Sequence, residues 1–200
     1  MTYEQAAAIP QAAVMALQGI RDYGKVLPGQ KVLINGAGGG VGTFAIQLAK
    51  YFGAEVTAVD STSKLEMMRS LGADHLIDYS QVDFIKNGEL YDLIIDVVAN
   101  RSIFEYKRAL KPAGIFVMIG GTTLTIFQTM LLGPLLSMSK FKKLGVLMHE
   151  PNKNLETLKE FFEAGSVKPV IDKCFTLSDT AEAMRYLGEG KAKGKVVISI

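Results

Sequence analysis

An α/β fold, a doubly wound parallel sheet with helices on both faces, follows from three features of the sequence. The stretch from Lys31 to Asp60, KVLINGAGGGVGTFAIQLAKYFGAEVTAVD, reads as a strand, a glycine turn, a helix and a second strand ending in an acid. From Lys31 onward, short apolar runs alternate with segments of helical periodicity. The run YDLIIDVV is nearly all apolar, as expected for a strand covered on both faces. Right-handed crossovers then place helices above and below the sheet.

The elements follow in order. Thr2 and Gln5 stand at capping-box spacing, so a short helix runs up to Pro10. A second helix, Ala12 to about Arg21, sets Val14, Leu17 and Ile20 near one face, and Pro28-Gly29 turns the chain into the first strand. Val41 to Phe52 has helical spacing of Phe44, Leu48 and Phe52, and EVTAVD is a β-branched second strand. Ser63 to Leu71 is a helix with Leu65, Met68 and Leu71 inward, ended by Gly72, before HLIDY as third strand and YDLIIDVV as fourth. A helix over Ile103 to Leu110 leads through a turn at Lys111 to Gly114 into IFVMIGG, the fifth strand. The apolar segment Leu124 to Met138 comes next, then KLGVLMHE as sixth strand, a helix over Asn154 to Ala164, a helix over Asp179 to Leu187 and a last strand, KVVISI.

The glycine turn carries chemistry. Glycines at Gly36, Gly39 and Gly42 give G-x-x-G-x-x-G, because the first position of the strict G-x-G-x-x-G fingerprint is Ala37. Gly36 and Gly38 allow the turn, Gly39 permits backbone approach to a phosphate, and Gly42 permits close packing of helix on strand. The bland alternative is a glycine-bearing α/β turn with no cofactor. The flanking strands, the helix and an acid at Asp60 favour a dinucleotide, whose pyrophosphate gains from the positive end of a helix.

In such a sheet the ligand lies outside the carboxyl ends of the strands, where strand order reverses. The candidates are therefore Asn35 to Gly42 (Asn35, Gly36, Gly39, Gly40, Val41 and Gly42), Asp60 to Lys64 (Asp60, Ser61, Thr62 and Lys64), and Asp78 with Tyr79. Val98, within Asp96 to Asn100, and Ile119, Gly120 and Gly121 complete the set. Asp78 and Asp96 read more readily as caps of the segments that follow them, whereas Gly120-Gly121 reads as room for a ligand.

Composition narrows the function. A chain of 200 residues, 48% hydrophobic and 21% charged, buries one substantial core. A net charge of +2 without a basic stripe argues against nucleic acid as a partner. One cysteine, Cys174, excludes an intrachain disulfide and a CxxC metal knuckle, which fits a cytoplasmic protein. Cys174 reads as a small packing residue, and His75 and His149 as ordinary surface or strand-end residues. No secretory signal opens the chain, and Leu124 to Met138, interrupted by Gln128 and Gly133-Pro134, falls short of a membrane span. It reads as a buried helix, a lid or a subunit contact.

AAAIP near the start, GQKVLINGAGGGVGTFAIQLAKYFGAEVTAV, RSLGADHLIDY, LKPAGIFVMIGG, and AGSVKPVID with GKVVISI closely resemble the medium-chain dehydrogenase/reductase superfamily. The nearest branch resembles the zinc-independent quinone oxidoreductases and related alcohol-dehydrogenase-like reductases. The resemblance implies a Rossmann fold and a two-domain design, in which an N-terminal domain supplies most of the substrate pocket. Residues 1–29 would then be hinge-side helices and 30–200 the nucleotide domain, with the substrate domain absent.

Other implications follow from the same likeness. Family members with catalytic zinc place a ligand near the start of this segment, yet Ile9 to Leu17 contains no Cys, His, Asp or Glu, so no zinc is expected here. The cofactor is NAD or NADP. Asp60 favours NAD by accepting from both ribose hydroxyls, while Ser61, Thr62, Ser63 and Lys64 resemble the phosphate pocket of NADP-dependent members. Gly39 to Gly42 would cradle pyrophosphate, Tyr79 would pack near adenine, and Ile119 to Gly121 would border the nicotinamide half.

The implied activity is hydride transfer to a small-molecule quinone, enone or related carbonyl, with no catalytic residue assignable on this chain. A dinucleotide-binding sensor or assembly module without turnover is the alternative. Related proteins pair through this region, so a homodimer through Leu124 to Met138 and the sixth strand is expected.

Overall fold

The computed structural model describes residues 1–137 and 142–200. Two helices open the chain, α1 (Tyr3–Ala8) and α2 (Pro10–Leu17). Thr2 and Gln5 form the full capping box on α1, and Pro10 sits in the first turn of α2, where its missing N–H costs nothing. A π-helical stretch, Gln18–Tyr23, continues α2. The alternating run follows: β1 (Lys31–Asn35), α3 (Gly40–Tyr51), β2 (Glu55–Asp60), a 3₁₀ turn Thr62–Lys64 leading into α4 (Leu65–Ser70), and β3 (His75–Asp78). Turns rather than a helix make the crossover to β4 (Tyr91–Asp96), after which come α5 (Ile103–Ala109), β5 (Leu110–Met118), α6 (Thr123–Ser137), β6 (Lys143–Val146) and α7 (Leu155–Glu163).

These six strands are all parallel, in the order β3-β2-β1-β4-β5-β6. Strand order therefore reverses between β1 and β4. Alternation within strands splits the core into two layers: Val32, Ile34, Val56, Ala58, Leu93 and Ile95 face α2, α3 and α7, while Leu33, Val59, Ile94 and Phe116 face the opposite side. Tyr106 of α5 stacks on Phe116 at 4.2 Å between ring centroids. The opening helices are part of the first layer, since Ala12, Ala13, Val14, Leu17 and Ile20 are buried there.

Three expectations are corrected. The last strand, β8 (Lys195–Ser199), does not join the main sheet; it pairs in parallel with β7 (Ile171–Thr176), around α8 (Thr180–Gly188). β7 escapes sequence reading because its residues are half-buried or exposed, including Lys173 and Cys174, so neither alternation nor an apolar run marks it. Second, Lys111 to Gly114 is not a separate turn but a bulge inside β5, with Ala113 in the left-handed region at φ +64°. Third, the apolar segment is a helix but not a buried one: it runs through Pro134 and leaves Leu124, Phe127, Leu131 and Leu135 exposed.

α5 is held at its start by Ser102, whose Oγ accepts from the Phe104 N–H at 3.2 Å while Glu105 accepts from the Ser102 N–H at 3.0 Å. Ser102→Ala should lower stability by about 1 kcal/mol, measured by urea denaturation, with cofactor affinity unchanged.

Candidate cofactor cleft at the strand ends

The glycine loop leaves β1 at the point of strand reversal. Gly36 adopts φ +77°, and its N–H and that of Ala37 both donate to the Val59 carbonyl at 3.1 Å, pinning the turn to β2. Gly42 has no room for a side chain: a Cβ there would lie 2.3 Å from the Gly36 carbonyl oxygen and 2.5 Å from the Ala37 Cα. Gly39 is different, since its Cβ would meet only the Gly36 carbonyl oxygen, at 3.4 Å. Gly39 is the N-cap of α3 and offers no side-chain acceptor, so the first N–H groups of a twelve-residue helix face the cleft. That arrangement suits an anion.

A cation lies beside it. Gly194 donates its N–H to the Gly38 carbonyl at 3.0 Å, docking the start of β8 on the loop, and the Lys195 side chain then crosses Gly40. A Cβ on Gly40 would lie 2.7 Å from Lys195 Cδ and 3.6 Å from its Nζ. Burial lowers the Lys195 pKa, and the ammonium has no carboxylate partner among the described residues. Gln11, Met15, Val97, Leu187 and Gly40 line with it a cavity of about 300 Å³. Sequence reading missed Lys195, because only a long-range contact brings the Gly194-Lys195 pair onto the loop. A basic residue directly after a glycine at a strand start was the sole local signal.

At the end of β2, Asp60 and Lys64 are both buried, at 6% and 7% exposure. Asp60 Oδ2 accepts from the Gly38 N–H at 2.9 Å, and Oδ1 accepts from the Ser61 N–H at 2.8 Å and pairs with Lys64 Nζ at 3.2 Å. The Lys64 stem lies on Gly38, with Cδ 2.5 Å from where a Cβ would be. The carboxylate is thus engaged internally rather than presented to a ribose. The Thr62 hydroxyl is engaged too, donating to Asp78, which also accepts from the Ser80 N–H at 2.9 Å. The Thr62 and Ser80 hydrogen bonds hold the Asp78 carboxyl below its ordinary pKa, and Asp78 acts as a cap of the next segment, as expected. Ser61 and Ser63 hydroxyls stand 3.3 Å apart at the surface, and Tyr79, whose N–H donates to the Asp60 carbonyl at 3.2 Å, is exposed.

Between β4 and β5 the reading needs correction. A Cβ on Gly120 would lie 2.5 Å from the Val97 carbonyl oxygen, and one on Gly121 2.5 Å from that of Ala99. Neighbouring backbone, not ligand space, demands these glycines. Ile119 packs against the core, exposed Val98 touches Gly36, and buried Asn35 ends β1 beside them, so all three stand at the strand ends next to the loop. Cys174 is exposed rather than packed. His75 pairs with Glu55 at 2.7 Å at the far end of the sheet, whereas His149 Nε2 is buried without a partner among the described residues.

No three His, Cys, Asp or Glu side chains converge as a metal group among the described residues. α2 passes beside the cleft with Gln11, Ala12 and Met15, none of them a zinc ligand, so the donor set does not fit a catalytic zinc.

The model of the zinc-binding dehydrogenase family matches residues 71–198. The mitochondrial NAD(P)H oxidoreductase RTN4IP1 of Mus musculus is 33% identical over all of this chain, which covers 56% of that protein. The 2-methylene-furan-3-one reductase of Solanum lycopersicum is 34% identical over 99% of the chain and 47% of its own length. Among solved structures, the quinone oxidoreductase from Coxiella burnetii superimposes with a TM-score of 0.87 at 29% identity, over the whole chain and 62% of that protein. The chain spans about half the length of the curated relatives it matches. Its sheet order, glycine loop and family match together make it a member of the zinc-binding dehydrogenase family, within the medium-chain dehydrogenase/reductase superfamily.

Proposed function

We propose that this chain is the nucleotide-binding part of an NAD(P)H-dependent reductase whose acceptor is a quinone, an enone or a related small carbonyl compound. The observation that carries the cofactor assignment is the unpaired Lys195 ammonium laid across Gly40 at the start of α3. A half-buried cation with no carboxylate partner among the described residues, beside free helix N–H groups, is matched to a pyrophosphate. The reduced nicotinamide, when bound, supplies the hydride. The chain's own part is to hold it: Gly39 to Gly42 and Lys195 grip the phosphates, while Val97, Met15 and Leu187 exclude water from the 300 Å³ cavity and Asn35, Val98 and Ile119 support the loop from the strand ends. Ile119 would border the nicotinamide half, and exposed Tyr79 would pack near adenine. The proposed substrate domain lies in the remaining length of such proteins, joined through residues 1–29. The acceptor class rests on the names of the tomato and Coxiella relatives.

For the adenosine end the reading favours NADPH. Both Asp60 oxygens are engaged by Gly38, Ser61 and Lys64, so the acid is not free for a ribose diol. Lys64 pairs with Asp60 at 3.2 Å, and a 2′-phosphate beside the Ser61 and Ser63 hydroxyls would compete with that carboxylate for its ammonium. Lys64→Met should weaken NADPH binding about tenfold, the scale of one charge-assisted hydrogen bond, and leave NADH within about twofold, measured by fluorescence titration. Equal weakening of both cofactors would reject the phosphate role.

The reading without turnover has one observation behind it: apart from Lys195, the cavity lining offers no titratable side chain among the described residues. Stopped-flow mixing of the NADPH-loaded chain with a quinone separates the two, since oxidation of the bound cofactor by this chain alone would exclude it.

We further propose a homodimer through α6 and the open edge of β6. Leu124, Phe127, Leu131 and Leu135 form an outward apolar stripe, with Leu131 73% exposed. An uncovered stripe and sheet edge of this kind invite association. Met138, the end of the expected contact, lies outside the described residues. Leu131→Glu should halve the mass in sedimentation; an unchanged mass would count against this surface. The single exposed Cys174 suits a reducing compartment, the cytoplasm or, as its name says of the mouse relative, the mitochondrion. No described helix is long and apolar enough to cross a membrane.

A further inference from the structure

The cleft contains a carboxylate that the proposed chemistry does not use. Asp96 ends β4 at the strand reversal, opposite Asn35 of β1 and Met118 of β5, and is 0% exposed. Its carboxylate accepts from Asn35 Nδ2, at 3.0 Å to one oxygen and 3.1 Å to the other, and from the Val98 N–H at 3.0 Å. Its main-chain carbonyl accepts from the Ile119 N–H at 2.8 Å and the Gly120 N–H at 3.3 Å. Val98, so held, rests on Gly36, with its methyl carbon 3.2 Å from the Cβ position there. One residue therefore joins the ends of β1, β4 and β5 and sets the wall against which the glycine loop turns.

We infer that Asp96 is the positioning residue of the cofactor cleft, and that its ionised carboxylate holds these strand ends in their binding shape. This deepens the proposed function and rests on it. The charge is not neutralised locally. Tyr106 of α5 faces the carboxylate with a hydroxyl that reaches no ordinary hydrogen-bond geometry among the described residues, and Arg101 acts on it from farther off, its guanidinium bound to Asp83 at 3.1 Å. β1 and β5 present the Asn35 amide and main-chain N–H groups. Burial, offset in part by Tyr106, Asn35 and Val98, raises the Asp96 pKa from 3.8 to about 6.

The sign of the linkage makes the inference testable. An acid with a raised folded pKa contributes stability fully present below its unfolded value and lost as pH rises through the folded one, here between 3.8 and about 6. Over that same range the ionised form gains its grip on Asn35 and Val98. Stability and cofactor affinity should therefore move in opposite directions, which a merely structural carboxylate would not do. A group kept at a cost to stability inside a cleft is a mark of function.

The probe is ADP-ribose, which lacks the 2′-phosphate monoester that would itself titrate near pH 6. Its affinity for the wild-type chain, by calorimetry, should fall threefold or more as pH is lowered from about 7.5 to about 5.5, through the Asp96 range. Asp96→Asn should flatten this profile and melt at or above the wild type at neutral pH. Tyr106→Phe, which removes a group that lowers the Asp96 pKa, should shift the midpoint upward. A wild-type slope retained in Asp96→Asn, or a midpoint unmoved in Tyr106→Phe, overturns the inference. Failure of ADP-ribose to bind the wild type at any pH would instead overturn the cofactor reading beneath it.

Discussion

Gly42→Ala should unfold the cofactor cleft and take much of the protein's stability with it. The added Cβ would stand 2.3 Å from the Gly36 carbonyl oxygen and 2.5 Å from the Ala37 Cα, and both neighbours are backbone pinned by hydrogen bonds to Val59. Neither can swing aside as a side chain would. The helix must lift from β1, opening the layer built from Val32, Phe44 and Ile46. Overpacking at a rigid site costs about 3 kcal/mol, which for a chain of this size is a fall of roughly 6–12 °C in Tm. Binding of NADPH should become undetectable in the same sample. Gly39→Ala is the informative partner, because its Cβ meets only one atom, at 3.4 Å, and its backbone at φ −91° suits alanine. It should keep its Tm within a degree or two and still lose cofactor affinity, since the methyl group enters the space reserved for a phosphate. If Gly39→Ala binds NADPH as the wild type does, the loop is a structural turn and not a phosphate cradle.

Lys195→Met is the second large effect. The methionine fills the same stem volume over Gly40 and removes only the ammonium, so cofactor affinity should fall by ten- to a hundredfold, the worth of about 1.5–3 kcal/mol for a hydrogen bond to a charged group. NADH and NADPH should suffer alike, because both carry the pyrophosphate, which separates this variant from Lys64→Met. Stability should not fall. Burial lowers the Lys195 pKa from 10.5, so the charged form is held in the fold at a cost, and the free protein gains stability as pH rises from the lowered folded pKa toward 10.5. Affinity for NADH should decline over the same alkaline range as the ammonium loses its proton, and Lys195→Met should abolish that decline. Paired titrations of both proteins between neutral and alkaline pH read the difference directly.

Much of this site was legible in the sequence for a physical reason. The β1-α3-β2 unit is local: Gly39 and Gly42 answer contacts with Gly36 and Ala37, and Gly38 one with Asp60, so spacing alone locates the turn, the helix start and the acid. The capping box at Thr2 and Gln5 and the apolar run of β4 are local signals of the same kind. What escaped depends on distant partners. Lys195 reaches Gly40 only because β8 docks by Gly194 on Gly38. Asp60 has the right type and position for a ribose acid, yet its partners Gly38 and Lys64 decide what its oxygens can do. β7 and β8 form a small sheet of their own with mostly half-exposed residues, so no burial pattern announced it. α6 passes through Pro134 at an exposed position, and near its end Ser137 donates to the Gly133 carbonyl at 2.6 Å, a bond that composition cannot reveal.

The most direct measurement is calorimetric titration of the wild-type chain with NADPH and, in parallel, NADH. Saturable binding at one site per chain, tighter for NADPH and competed by ADP-ribose, is the expected result. Absence of heat with either cofactor, under conditions where the chain is folded by its thermal melt, would contradict the assignment of the Gly36 to Gly42 loop and Lys195 as a dinucleotide site.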